Sequence, residues 1–407
     1  MSPTFSSLSV RNYRIYASGS LVSNVGTWMG RVGQDWLVLT QLTDHSSSAL
    51  GIVTGLQFLP FLILAPVTGM IADRFSKRHI LLTTQSFLGL SALALAALTL
   101  TGHVELWHVY LIAFLQGVAT AVDNPARQSF VSEMVPKDRL SNAVALNSAS
   151  FNAGRLIGPA VAGLVIAALG TGWALLVNGL SFAFVLASLL AMRVRDLTPA
   201  PRARGKGQIR QGLVYVRSRP DVMLVMALVF VLGTFGMNFQ ITTALMATKE
   251  FHEGPTGYGM LGSIMAIGSL AGALLAARRK VPRLRVLLIA LALIPTGLAS
   301  LTALTTANAM VQLSVDAQMR GRVMALYMAV FMGGTPLGAP IIGWIGDAFG
   351  ARWTIGIGTV AVGLSLVAVA AYLHRRQNVR VRYESHRRPR FTVTTAPVDT
   401  PAPEAVR

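Results

Sequence analysis

The chain has 407 residues, 53% hydrophobic and 13% charged, with no cysteine and a formal net charge of +19. Soluble domains carry about 25% charged residues, so this composition excludes an ordinary globular domain, and the missing cysteines exclude disulfides and thiolate metal sites. The surplus of 35 Lys/Arg over 16 Asp/Glu does not point to nucleic acid, because its placement follows the loops of a membrane protein.

Apolar runs of about 20 residues recur along the chain, each long enough to cross about 30 Å of hydrocarbon as a helix. They are built of Leu, Ala, Val, Gly and Phe without strand-like alternation, so helices are expected and a barrel is not. The polar start, with Arg11 and Arg14, carries no cleavable signal pattern. Spans 1 to 6 are expected at 13–39, 49–72, 80–101, 107–122, 142–169 and 173–192. Asn124-Pro125 is expected to break the fourth helix, leaving 127–140 as a charged loop. Residues 193–220 hold eight Lys/Arg and three Pro and read as a basic linker with a short amphipathic piece at 209–216. Spans 7 and 8 follow at 222–248 and 257–277, spans 11 and 12 at 323–349 and 353–373, and 374–407 reads as a disordered tail. With a cytoplasmic N-terminus, only Lys249 and Arg352 fall in outer loops and only Arg31 and Arg155 inside spans. That asymmetry is the positive-inside pattern. The expected architecture is an all-α polytopic membrane protein with six helices in 1–192, the 193–220 linker, and a second bundle in 221–373.

The two halves repeat each other, as in transporters built from duplicated bundles. Gly154, Gly158, Gly163, Gly170 and Trp173 recur as Gly334, Gly338, Gly343, Gly350 and Trp353, each 180 positions later. Gly69 and Gly272 are 203 apart, so roughly 25 residues of the first half lack a counterpart. The interval 287–313 corresponds to spans 3 and 4 but holds enough residues for one crossing. Spans 9 and 10 therefore read as fused through Ile294-Pro295-Thr-Gly297, giving 11 spans where 12 are nominal. A re-entrant pair of half-helices broken at Pro295 is the other reading.

No phosphate-binding loop, zinc-protease motif or nucleophile elbow is present, and no His cluster has metal spacing. An enzyme is not expected, and neither is a cofactor. Ionisable groups within spans become the candidates. Asn24, Trp28, Arg31 and Asp35 lie on one face of span 1. Arg31 and Asp35, four apart, form either a buried ion pair that fixes packing or a cavity lining in which Asp35 exchanges a proton. Arg155 in span 5 needs an acidic or carbonyl partner, for which Asp35 is one choice. Thr234, Asn238 and Gln240 offer neutral hydrogen-bonding groups in span 7. Gly154, Gly158, Pro159 and Gly163 form a small-residue ridge suited to close helix packing.

Between spans 2 and 3 runs Gly69-Met-Ile-Ala-Asp73-Arg74-Phe-Ser76-Lys77-Arg78, a link short enough to force an antiparallel hairpin. Gly69, Asp73, Arg74, Lys77 and Arg78 resemble the corresponding loop of the major facilitator superfamily, with Ser76 where that family usually has Gly. The second copy at Gly272 has Ala276 in place of the Asp. The ridge resembles the span-5 motif of the family's antiporters, while Ala113 stands where the span-4 motif has arginine, so the usual drug-antiporter proton relay is not carried over. Asn12-Tyr-Arg14, Gly26-Thr-Trp-Met and Arg320-Gly-Arg322-Val-Met-Ala-Leu-Tyr327 look most like the branch containing the enterobactin exporter and macrolide-efflux proteins. The resemblance implies two bundles, a central cavity, alternating access, and a cytoplasmic latch made by Asp73 and the basic residues. Span 11 begins just after Arg322, and an acidic group favours a helix N-terminus. The implied function is secondary transport: a proton-driven exporter of small amphipathic molecules, drugs or siderophore-like compounds, acting as a monomer in the inner or plasma membrane. An uptake symporter of the same fold and a non-transporting truncated remnant are the alternatives.

Overall fold

The computed structural model describes residues 3–198, 208–236, 238–277, 307–308, 310–311, 314–315, 319–377, 379–384 and 390–395. The helices are α1 (Arg11–Leu37), α2 (Ser47–Arg74), α3 (Lys77–Leu100), α4 (Leu106–Met134), α5 (Lys137–Leu169), α6 (Thr171–Leu190), α7 (Gln208–Ser218), α8 (Pro220–Val231), α9 (Phe239–Leu245), α10 (Pro255–Ala277), α11 (Arg320–Phe349) and α12 (Ala351–Gln377). Among the described residues, eight helical stretches are long and apolar enough to cross a membrane. The reading of spans 9 and 10 at 287–313 falls mainly outside the described residues.

Three features differ from expectation. First, α4 runs through Pro125 to Met134, so most of the charged loop expected at 127–140 is helix. The residues beyond the proline carry an apolar stripe, and Ala126, Phe130, Val131 and Met134 are buried among α1, α3 and α6. That packing outweighs the bond the proline cannot make. Arg127 is held one turn below Asp123 by a 2.8 Å ion pair.

Second, span 7 is interrupted. α8 passes into a π-helical turn, Leu232–Gly236, and α9 restarts after Asn238. The Asn238 side chain donates to the Thr234 carbonyl at 2.6 Å, taking the acceptor that the backbone N–H of residue 238 would use in a continuous helix. Third, α12 reaches Gln377, and within the tail Val379–Glu384 pairs antiparallel with Arg390–Thr395. In both strands apolar residues alternate with polar ones, the period of a two-faced strand.

Side-chain contacts give the helices their directions. Arg11 and Asn12 of α1 bond to the Ala191 and Arg193 carbonyls beyond the end of α6, and Gly33 at the other end faces Ala174 and Leu175. We call the end with Arg11 and the Gly69–Arg78 link the lower end, and the end with the α1–α2 turn the upper. The 180-residue repeat is structural. Gly154 and Gly158 of α5 press on Asn24 and Trp28 of α1, as Gly334 and Gly338 of α11 press on Thr234 in span 7. Gly170 and Gly350 both turn the chain at φ 94°, a conformation that suits glycine.

Candidate functional site

The halves meet along two helix pairs. Gly51, Gly55 and Leu62 of α2 pack on Ala339, Pro340 and Gly333 of α11, and Pro159 and Gly163 of α5 pack on Pro255, Gly259 and Gly262 of α10. The predicted ridge is therefore two-sided. Gly154 and Gly158 seat α1, and Pro159 and Gly163 seat the opposite half. Ser263 adds a 2.7 Å bond to the Leu156 carbonyl across the same seam.

Of the polar face of span 1, Asp35 reaches the other half, while Asn24 and Trp28 pack on α5 and Arg31 lies between Trp28 and Phe58 of α2. Asp35 is buried and accepts a 3.1 Å bond from the Tyr258 hydroxyl of α10, whose ring stacks on Trp36. No ion pair joins Arg31 to Asp35 or Arg155 to Asp35 among the described residues. The i, i+4 spacing permits the Arg31 pair, but the carboxylate turns to a hydroxyl 223 positions away. Arg31 instead sits over the Trp28 ring at 4.9 Å and near Phe58 at 6.0 Å, and Arg155 lies 5.7 Å from the same indole. Trp28 meets Phe151 edge-on, and Asn24 donates to Ser150 at 3.0 Å.

Phe58 also lines a small cavity of about 50 Å³ between the halves, together with Thr54, Asn238, Gln240, Ile241 and Thr335. The break in span 7 thus opens onto the junction, where transporters place interrupted helices. Asn238 is 6% exposed, yet among the described residues its side-chain oxygen has no partner, and the amide nitrogen of Gln34 also lacks one.

At the upper end Asp347, near the end of α11, accepts from the Ser47 and Ser48 backbone N–H groups at 2.8 Å each and from Ser46 Oγ at 3.3 Å. Lys249 lies 3.2 Å from the same carboxylate. A carboxylate on the first N–H groups of α2 satisfies donors that the helix cannot satisfy itself. Its position one turn from the end of its own helix is electrostatically unfavourable, and that oddity was the signal in the sequence. Tyr258 gave no such signal.

At the lower end Lys77 bonds Glu133 at 2.5 Å and Arg78 donates to the Leu189 carbonyl at 2.9 Å, both within the first half, while Arg74 is exposed. The side chains of Gly69, Asp73, Arg320 and Arg322 lie outside the described residues, although all four positions are helical. A further buried carboxylate, Asp123, accepts from Thr84, Gln85 and Arg127; its bonds all stay inside the first half.

Comparison with known proteins agrees with this geometry. Residues 2–288 match a family described as "Transmembrane secretion effector" and residues 286–400 match "Major Facilitator Superfamily". The staphyloferrin A transporter of Staphylococcus aureus is 24% identical over 401 residues, 92% of this chain and 99% of that one. The enterobactin exporter EntS of Shigella flexneri is 23% identical over 375 residues, 85% and 89% of the two chains. The multidrug efflux pump Tap of Mycolicibacterium fortuitum is 28% identical over 269 residues, 63% and 64%. Among solved structures, the POT family transporter PepTSo superposes with TM-score 0.70 at 12% identity, covering 91% of this chain and 99% of its own. An inward-facing bacterial homologue of the lysosomal transporter Spinster gives 0.65 at 15%, covering 92% and 95%. The chain is a multi-pass membrane transporter, not an enzyme, and belongs to the major facilitator superfamily.

Proposed function

We propose that the protein is a proton-driven exporter of small amphipathic molecules that works by alternating access, as a monomer, with its lower end in the cytoplasm. The observation that carries this reading is Asp35, a buried carboxylate of one half whose hydrogen-bond donor belongs to the other. A bond to an ionised carboxylate is roughly twice as strong as a neutral one. Taking up a proton at Asp35 therefore loosens the upper seam, and giving it up tightens the seam. A group whose charge changes the relative stability of two conformations couples ion occupancy to the side that is open.

The upper seam joins the halves through Asp347, Lys249 and the glycine-lined helix pairs. α2 and α11 are antiparallel and each carries an aspartate near its C-terminal end, Asp347 against the start of α2 and Asp73 in the last turn of α2. Asp73, with Arg74, Lys77 and Arg78 and with Arg320 and Arg322 across from them, takes the matching role when the lower end closes. The relatives named for the export of enterobactin and of drugs favour the outward direction.

Everted vesicles test the assignment. Asp35→Asn is expected to abolish efflux driven by a pH gradient while leaving substrate exchange without a gradient, and Tyr258→Phe is expected to lower the gradient-driven rate and flatten its pH dependence. Unchanged proton coupling in Asp35→Asn would remove Asp35 from the mechanism, and gradient-driven accumulation in intact cells in place of loss would reverse the direction.

A further inference from the structure

Among the described residues the two arginines of the junction make no direct ion pair, and Asp35 acts on Arg31 only from a distance. Arg31 and Arg155 flank one indole, Trp28, at 4.9 and 5.7 Å, and among the described residues neither makes an ion pair or a hydrogen bond. Asp35, one turn above Arg31, is directed to Tyr258. Charges held between membrane helices are costly unless paired, and two cations sharing one aromatic ring repel each other. Cation–π contact offsets part of that cost and leaves the hydrogen-bonding edges of both guanidinium groups open.

The surroundings describe what would fill the gap. Trp28 and Phe151 form one aromatic wall, and Phe58 with Phe61 another, 6.0 Å between centroids. Phe58 joins Arg31 to the cavity that Asn238 and Gln240 line from the second half. There a buried amide oxygen of Asn238 has no donor among the described residues. We propose that Arg31 and Arg155 form the anion subsite of the substrate cavity, and that the transported solute is an organic anion: a carboxylate or phenolate group on an aromatic or apolar body, with a hydrogen-bond donor toward Asn238. Guanidinium forks match planar oxyanions in a bidentate way, and stacking on Trp28 and Phe58 takes up the body of the molecule. This rests on the transporter reading above, but it concerns equilibrium binding and needs neither proton coupling nor a direction of transport.

The test uses the full chain, purified and reconstituted in nanodiscs of zwitterionic lipid, with 1-naphthoate and its neutral counterpart 1-naphthamide as probes in calorimetric titrations. Naphthoate is expected to bind at least about tenfold more tightly than naphthamide, as befits one charge-assisted contact, and to weaken as salt rises. Arg31→Gln and Arg155→Gln are each expected to erase most of that preference, with Arg31→Lys retaining part of it. Removing an unpaired cation should leave the melting temperature of the empty protein unchanged or raised, so loss of the naphthoate-induced increase separates a binding role from a folding one. Equal binding of the two probes, or a preference that survives Arg31→Gln/Arg155→Gln, would overturn the proposal. So would displacement of naphthoate by added anionic phospholipid with a matching loss of lipid binding in the double variant, since the subsite would then belong to a lipid head group. Failure of proton coupling in vesicles with these results intact would count against Asp35 alone.

Discussion

Asp347 illustrates how much a single side chain can carry at a seam. It holds two backbone N–H groups of α2 and one lysine from the end of span 7, so three separate elements depend on it. Hydrogen bonds to a charged group contribute roughly 1.5–3 kcal/mol each, and their loss shifts a two-state population by about tenfold or more. Because the chain has no cysteine, Asp44→Cys and Phe251→Cys give a unique pair of spin-label sites at the exposed upper rim. In Asp347→Asn the distance distribution between those labels is expected to gain a longer, upper-open component; an unchanged distribution would show that the glycine-packed helices close the seam without the carboxylate. The spacing showed that Asn24, Trp28, Arg31 and Asp35 share one face of span 1, and they pack on protein there, Asn24 and Trp28 against α5 and Asp35 against the other half. Their partners were not legible, because Tyr258, Phe58 and Ser150 come from far along the chain and a helical period carries no information about the neighbouring helix.

At the level of elements, the ridge on α5 is a contact of backbones. A Cβ at Gly158 would lie 2.6 Å from the Trp28 Cβ and 2.9 Å from the Val25 carbonyl, and one at Gly154 would meet the Asn24 backbone at 2.8 Å. Overpacking of this kind costs typically 1–3 kcal/mol. Gly158→Val is expected to lower the melting temperature of the purified protein and to push Trp28 out of line, reducing substrate binding even in detergent where no gradient exists; a melting curve and affinity like those of the parent would mean that α1 can step back freely. The repeat that predicts a similar contact for Gly338 was visible because small residues leave a fixed spacing in the sequence. The interruption of span 7 was not visible. Residues 222–248 contain no proline and no charge, and the break depends on one side chain, Asn238, taking the Thr234 carbonyl. The continuation of α4 beyond Pro125 was hidden for a related reason: the stripe of Ala126, Phe130, Val131 and Met134 that holds it is decided by packing against three other helices.

For the whole molecule, the directions of α10 and α11 constrain what joins them. Along α5 the chain climbs from Leu156 to Gly163, while its partners on α10 run from Ser263 back to Pro255, so α10 descends and leaves at the lower end. α11 passes Leu62 of α2 at Gly333 and Ser47 at Gly343, so it ascends from the lower end, where Arg320 begins it. The connection between them starts and finishes on the same side, which a single simple crossing through 287–313 cannot do. It follows that α12 descends and that the basic residues after it share a side with Gly69–Arg78 and the N-terminus, in keeping with the positive-inside rule. Green fluorescent protein fused after Arg407 is expected to fluoresce, and alkaline phosphatase fused after Asp44 is expected to be active in the same cells. A dark C-terminal fusion together with active phosphatase fused after Gln377 would put the tail outside, and with it would fall the latch assigned to Asp73, because the start of α11 would no longer lie on the side where that aspartate stands.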